Sequence, residues 1–357
     1  MEALVLDTEF KAVGIMDSFE SFIWTDRYSK CGDFEIYGPA NTEALSLLQV
    51  DYYLWNKDSE HAMIIEDIEI NTDTEDGNYY TVRGRSLESI LERRIIWTQT
   101  TIDGNLQNGI KKLLDDNIIN PTDENRKISN FIFEESDDEN ITTMTLDAQY
   151  TGDNLYETIC SICDSNGLGF KITLREDNHF IFKLYYGIDR SYNQIKNPYV
   201  VFSPNFNNII NSNYKETKSA YKNVGLVAGE GEGSSRKTVT VGNVSGLERR
   251  EMFIDAGDIS TNTGDKTLSE KEYNSQLEER GNEELSDYQL IQSFEGEMET
   301  TQMFKLGEDY FIGDIVQTSN EYGKEARSRV TEIIWSQSAS EYSMYPTFEA
   351  VENKEQT

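Results

Sequence analysis

The sequence predicts a β-rich α+β protein built on two antiparallel β-barrel domains, and three observations carry that class. Two-residue alternation of apolar and polar residues recurs in both terminal portions, the period of half-buried strands. Aromatics make up 11% of the chain, with 20 Tyr and 16 Phe against 5 Pro, a usage that favours strands and opposes disorder. Apolar spacing turns helical only in the interior. At 357 residues the chain also exceeds what one core usually serves, so several subdomains are expected.

Residues 1–95 read as the first barrel, with strands over 3–6, 18–28, 33–37, 52–55, 62–70 and 79–85, punctuated by Gly32, Gly38-Pro39 and Asp76-Gly77. After Arg85 the period changes. Leu87, Ile90, Leu91 and Arg94 fall on one helical face, with Ser86 placed as N-cap.

Residues 96–195 read as an α+β unit. Leu106, Ile110, Leu113 and Leu114 share a helical face after Asp103, and Leu155, Ile159 and Ile162 share another, stopped by Asn166-Gly167. A hairpin follows, with Phe170, Ile172 and Leu174 on one arm and Phe180, Phe182 and Leu184 on the other. Residues 196–247 and 295–352 read as the second barrel, interrupted by a helical insertion over 248–294. Within it Thr267 and Glu270 form a capping box, and Tyr273, Leu277, Gly281, Leu285 and Tyr288 trace a contact stripe. Gly281 on that stripe predicts close approach of another backbone.

The two barrels carry a trace of duplication. Residues 51–83 and 314–347 share length and the order strand, turn, strand, turn, strand, with Ile64-Ile65-Glu66-Asp67-Ile68 set against Arg329-Val330-Thr331-Glu332-Ile333.

Four stretches carry a family resemblance: GNYYTVRGRSLESILERR from Gly77 to Arg94, LWNKDSEHAMIIEDIEI before it, LGEDYFIGDIV followed by RSRVTEIIW near the end, and Cys31 to Ile36. Together they resemble the tail hub (tail-associated) proteins of long non-contractile-tailed phages, which are similar in fold to the central hub of contractile-tail baseplates. The resemblance implies a tube-forming barrel as first domain and an architectural role, and it supplies no catalytic residue. It implies a trimeric hub at the tip of a phage or prophage tail, assembled in the bacterial host cytoplasm. Six similar barrel faces would then adapt a sixfold tube to a threefold tip. Expected partners are distal tail or tube proteins above, a fibre or spike below, and tape-measure protein and DNA passing through the channel.

Charge fits that expectation. Sixty-five acidic residues against 32 Lys and Arg give a net charge of −33, which opposes gripping nucleic acid phosphates and suits a conduit to which DNA does not stick. Three cysteines, Cys31, Cys160 and Cys163, form no disulfide framework. The N-terminus has no signal-peptide pattern, and no run of 18 apolar residues predicts a membrane span.

Sites of chemistry are weighed and set aside, so no catalytic, cofactor or metal residue is assigned. The Cys160–Cys163 spacing suits half a zinc site, but His61 and His179 are the only histidines and complete none. The sequence has no GxSxG elbow. Glu134-Glu135 and Asp137-Asp138 read as a solvated loop. Gly229, Gly231 and Gly233 alternate with Glu230 and Glu232, which repel phosphate, so a mobile loop is expected. The acidic run 73–78 misses calcium spacing and reads as a hairpin tip. The chain's end at Thr357 leaves no room for the cell-wall-degrading module that follows the hub in many relatives. The alternatives to a hub are a peptidoglycan hydrolase acting through an Asp/Glu pair and a host-carbohydrate binding module using Tyr platforms. Arg83, Arg85, Arg93 and Arg94 form a basic cluster, expected to meet acids across a domain or subunit boundary.

Overall fold

The structure is a computed structural model that describes residues 1–75, 77–263, 266–298 and 303–351, without the side chains at 211 and 296–298. Its first strands are β1 (Ala3–Leu6), β2 (Ala12–Met16), β3 (Ser21–Arg27) and β4 (Asp33–Pro39). A short helix α1 (Thr42–Leu47) follows, then β5 (Tyr53–Trp55), β6 (Ala62–Asp73) and β7 (Gly77–Ser86). The alternation predicts all but two of these. In β2 Val13 and Ile15 point outward and only Met16 is buried, so its pattern does not read as half-buried. The six-residue α1 is too short for a helical period to register; Asn41 caps it by accepting from the Ala44 N–H.

Beyond β7 the chain makes a 3-10 helix over Leu87–Arg93. Ser86 does not cap it, because its hydroxyl accepts from the Gly32 N–H at 2.7 Å and ties β7 to the start of β4. The α+β unit then runs through β8 (Thr100–Asn105), α2 (Leu106–Leu114), β9 (Phe131–Glu134), α3 (Glu139–Thr142), β10 (Thr145–Tyr150), α4 (Leu155–Asn166), β11 (Gly169–Leu174) and β12 (Phe180–Tyr185). Asn105, two residues past the expected Asp103, caps α2, and Gly167 ends α4 at φ 66°. The expected hairpin forms, and its register pairs Phe170 with Leu184, Ile172 with Phe182 and Leu174 with Phe180.

The rest comprises β13 (Val201–Phe202), β14 (Ile209–Thr217), β15 (Val224–Ala228), β16 (Thr238–Val241), β17 (Glu251–Asp255), α5 (Glu270–Ser286), β18 (Ile291–Met298), β19 (Ile315–Ser319), β20 (Glu325–Ser338) and β21 (Tyr342–Ala350). The capping box of α5 is Ser269 with Glu272, two residues beyond the expected pair. Gly281 faces side chains rather than backbone: a Cβ there would lie 2.5 Å from Val241 and 2.7 Å from Val227 on the small sheet of β15–β17. The insertion therefore brings its own sheet, and α5 seals it over Val227, Ile254, Tyr273 and Leu277. Helix α5 also docks on the α+β unit, where Tyr150 donates to Glu283, a carboxyl pushed up to about 7 by burial.

The expectation of two separate barrels is corrected. β3, β4, β7, β6, β5, β1 and β2 form one stretch and β14, β18, β21 and β20 another, and antiparallel pairing of β20 with β3 joins them into a single 13-stranded sheet. Among the described residues that sheet is open, with β2 and β14 at its ends; closure needs bonded end strands, and these two do not meet. Both stretches share one core, in which Phe22, Trp24, Phe34 and Val82 pack with Phe202, Val330, Ile333 and Phe348.

A buried polar cluster fastens the sheet to the α+β unit. His61 Nδ1 lies 3.0 Å from Glu88 Oε1, which also accepts from the Ile172 N–H at 2.6 Å on β11. Asp26 on β3 accepts from Trp24 Nε1 at 2.9 Å and from the Ser59 hydroxyl at 2.6 Å. Burial works against a charged His61, but Glu88 and Asp26 outweigh it and lift its pKa to about 9. Burial likewise opposes ionised Glu88, and the charge of His61 holds it below the usual range. Burial raises Asp26. His61 thus stabilises the fold in full below its ordinary value near 6.5, and that share fades as pH climbs through about 9. Urea unfolding is expected to show a loss of about 3 kcal/mol between those limits. The Glu88→Gln variant, compared at the same two pH values, is expected to lose most of this dependence.

Candidate functional site

The residues singled out in the sequence are engaged in holding the fold. Cys160 and Cys163 are buried on α4, and burial pushes the first thiol up to about 12 and the second well above its ordinary value, which keeps both protonated and unreactive. Cys31 Sγ accepts from the Tyr156 hydroxyl at 3.2 Å, and burial raises its pKa too. Among the described residues no group of three His, Cys, Asp or Glu is arranged to hold a metal ion. His61 is committed to Glu88, and His179 sits beside Asp177 at 3.1 Å.

The acidic loop divides its carboxylates between structural partners. Glu134 pairs with Lys183 at 2.7 Å, Glu135 pairs with Lys111 on α2, and Asp138 caps α3 through the Asn140 N–H. The glycine loop is bonded at its start, at Gly229 and Glu230, while residues 231–235 are exposed. Arg236 Nε donates to the Gly229 carbonyl at 2.8 Å, the Tyr273 hydroxyl accepts from the Glu230 N–H at 2.7 Å, and the Glu230 carboxylate takes the Thr261 hydroxyl at 2.6 Å. Within the acidic run 73–78, Gly77 turns the chain at φ 94° between β6 and β7, while Asp76 lies outside the described residues.

The arginines on β7 find acids within residues 1–95, on neighbouring strands and on the 3-10 helix, and not across a domain boundary. Arg83 meets Glu35 at 2.6 Å and Asp67 and Glu69 at 3.6 and 3.7 Å, while Arg85 bridges Glu66 and Glu92 at 2.8 Å each. Cross-strand neighbours on a flat face lie closest, so they capture the charges first. Arg94 alone of these reaches the α+β unit, donating to the Arg126 carbonyl at 3.0 Å. Arg93 ends the 3-10 helix at the surface.

The feature that repeats is the sheet itself. β5, β6 and β7 form an antiparallel meander, and so do β19, β20 and β21. Each central strand carries one extra residue, Glu66 between Ile65 and Asp67, and Thr331 between Val330 and Glu332. These bulges fall at the same place in the sequence match of 64–68 with 329–333. Ahead of each, backbone bonds repeat: Asp51 N–H donates to the Ile65 carbonyl and Ile65 N–H to Tyr52, as Gly313 N–H donates to Val330 and Val330 N–H to Asp314. Asp51 and Gly313 both take positive φ, 68° and 95°. The likeness continues outward, since β4 and β3 follow β7 as β18 and β14 follow β21. The helical insertion thus occupies the place of the short β3–β4 turn.

The two meanders differ in what lies beside the central strand. On the side away from β21, β20 takes β19 along Glu325–Arg329 and β3 along Glu332–Ser338. On the side away from β7, β6 takes β5 along Ala62–Ile64, and no described strand runs beside 67–72. Trp335, paired with Trp24, is 4% exposed, whereas its counterpart Ile70 is 51% exposed. A β-strand with one open side is a template for another strand.

Trp335→Ala is expected to cost about 3–5 kcal/mol in chemical unfolding, whereas Ile70→Ala in the isolated protein shifts stability by less than about 0.5 kcal/mol.

The sequence profile of the Siphovirus ReqiPepy6 Gp37-like protein family matches residues 2–348. No protein of curated function matches the chain. Among solved structures, the tail protein from Neisseria meningitidis MC58 is similar at TM-score 0.59 and 12% identity, over 98% of this chain and 96% of that one. The 43 kDa tail protein of prophage MuSo2 from Shewanella oneidensis reaches 0.56 at 10% identity, over 98% of each chain. The prophage tail protein gp18 from Listeria monocytogenes EGD-e reaches 0.54 at 14%, over 100% of this chain and 96% of that one. At these identities the likeness is one of fold.

Proposed function

The chain belongs to the Siphovirus ReqiPepy6 Gp37-like protein family, and from that premise we propose that it is a structural component of a phage or prophage tail tip, the hub that closes or extends the tail tube. The observation that carries the reading is the duplicated sheet, with bulges at matching positions in β6 and β20. One chain supplies two similar units side by side. Three chains then present six, which fits a sixfold tube above while leaving threefold symmetry for a fibre or spike below.

The proposal includes a domain division at 1–95, 96–195, 196–247 with 295–352, and 248–294, except that β15 and β16 go with the insertion, whose sheet they form with β17. It also includes a central channel for tape-measure protein and DNA, and assembly at the tail tip in the host cytoplasm. The fold shared with two prophage tail proteins and with the tail protein from Neisseria meningitidis supports the tail assignment. The net charge of −33 supports a passage that repels DNA. The reading assigns no catalytic step. The acids a hydrolase would draw on in the 134–138 loop include Glu134, Glu135 and Asp138, all held in structural bonds.

Quantitative mass analysis of purified tails is expected to give three copies of this chain per tail, with a threefold ring around a central hole in electron micrographs. Six copies per tail, or a location away from the tip, would overturn the reading.

A further inference from the structure

The open half of β6 and the outer side of β14 are the two halves of a joint that the chain completes once within itself, at β20 and β3. We propose that a second copy of this chain completes the other one: residues 67–71 of β6 pair antiparallel with residues 213–217 of β14 in the neighbouring copy. This rests on the ring proposed above and adds which edges meet and in what register.

The register follows from the two halves of the molecule. The bulges set Asp67 in the place of Glu332 and Ile70 in the place of Trp335. Gly84 lies opposite Ile65 as Phe348 lies opposite Val330, Phe34 opposite Gly84 as Phe294 opposite Phe348, and Trp24 opposite Phe34 as Tyr214 opposite Phe294. Tyr214 therefore stands where Trp24 stands. Because Trp335 faces Trp24, Ile70 faces Tyr214 of the neighbouring copy. Counting along both strands sets Glu69 against Lys215, Asn71 against Asn213 and Asp67 against Thr217.

The chemistry of these pairs agrees with a register derived only from backbone pairing. Ile70, half exposed in the single chain, gains the Tyr214 ring as cover on the core side. Glu69 and Lys215, both exposed, become a cross-strand pair of opposite charge. A slip of one residue sets Glu69 against Glu216 or against Tyr214, and it turns Ile70 away from the ring. The two edges are also the right ones geometrically: β14 ends the sheet, and the open side of β6 begins just past its bulge, as the β3 joint begins just past the bulge of β20. Three copies would alternate three internal joints with three external ones around one ring.

Cysteine cross-linking in assembled tails tests the register, since the three native cysteines are buried. Tails carrying Ile70→Cys with Tyr214→Cys are expected to give a covalent trimer on mild oxidation. Ile70→Cys with Glu216→Cys is expected to give at least tenfold less. Rings visible by electron microscopy without the 70–214 link, or with the 70–216 link preferred, would falsify the pairing and leave the ring reading standing. Tails with no ring of this chain overturn both. As a second measurement, Glu69→Lys and Lys215→Glu are each expected to lower ring yield several-fold and together to restore it. Unchanged yield in both single variants overturns the pairing.

Discussion

One extra residue in β20 governs the architecture. The bulge at Thr331 bends the strand, so its first half accepts β19 and its second half accepts β3 along the same side. The Thr331 carbonyl itself takes the Tyr28 N–H at 3.0 Å, carrying the β3 ladder up to the bulge. Through that joint the N-terminal and C-terminal strands become one sheet over one core, and Arg27 crosses it to reach Glu332 at 2.6 Å. The same bulge in β6 leaves room for an equivalent joint whose second strand none of the described residues supplies.

The other units hang on this sheet through polar contacts that burial makes expensive to break. His61, Glu88 and Asp26 fix the 3-10 helix, β11 and β3 to each other, since losing one partner leaves a buried charge unmatched. On the far side of the α+β unit, α5 is held by Tyr150 and Glu283 and by Gln276, which donates to Asp147 at 3.1 Å. The insertion departs where the second unit would need only a short turn, so it enlarges the protein without disturbing the strand order.

This distribution of chemistry suits an architectural protein. Its buried ionisable groups sit at joints between units, and its thiols are kept protonated inside α4 and beside Tyr156. What stays open among the described residues includes the backbone on one side of β6, one side of β14 and one side of β2.

The sequence by itself determined most strands, the helices α2, α4 and α5, the β11–β12 hairpin and a trace of the duplication, because each is written in local period or in a repeated phrase. Hairpin partners are neighbours in sequence, so alternation and turn residues suffice to pair them. It misjudged Ser86 and the arginines of β7, because which residues meet across neighbouring strands depends on pairing that a local pattern does not give. Only the tertiary structure decided that two expected barrels are one open sheet. The β3–β20 joint links residues about 300 apart in number, from Arg27 to Glu332. A bulge leaves no composition signal, and nothing in Thr331 or Glu66 as residue types announces it. Which side of a strand stays empty depends on every other strand having found its place, and that is a property of the whole fold.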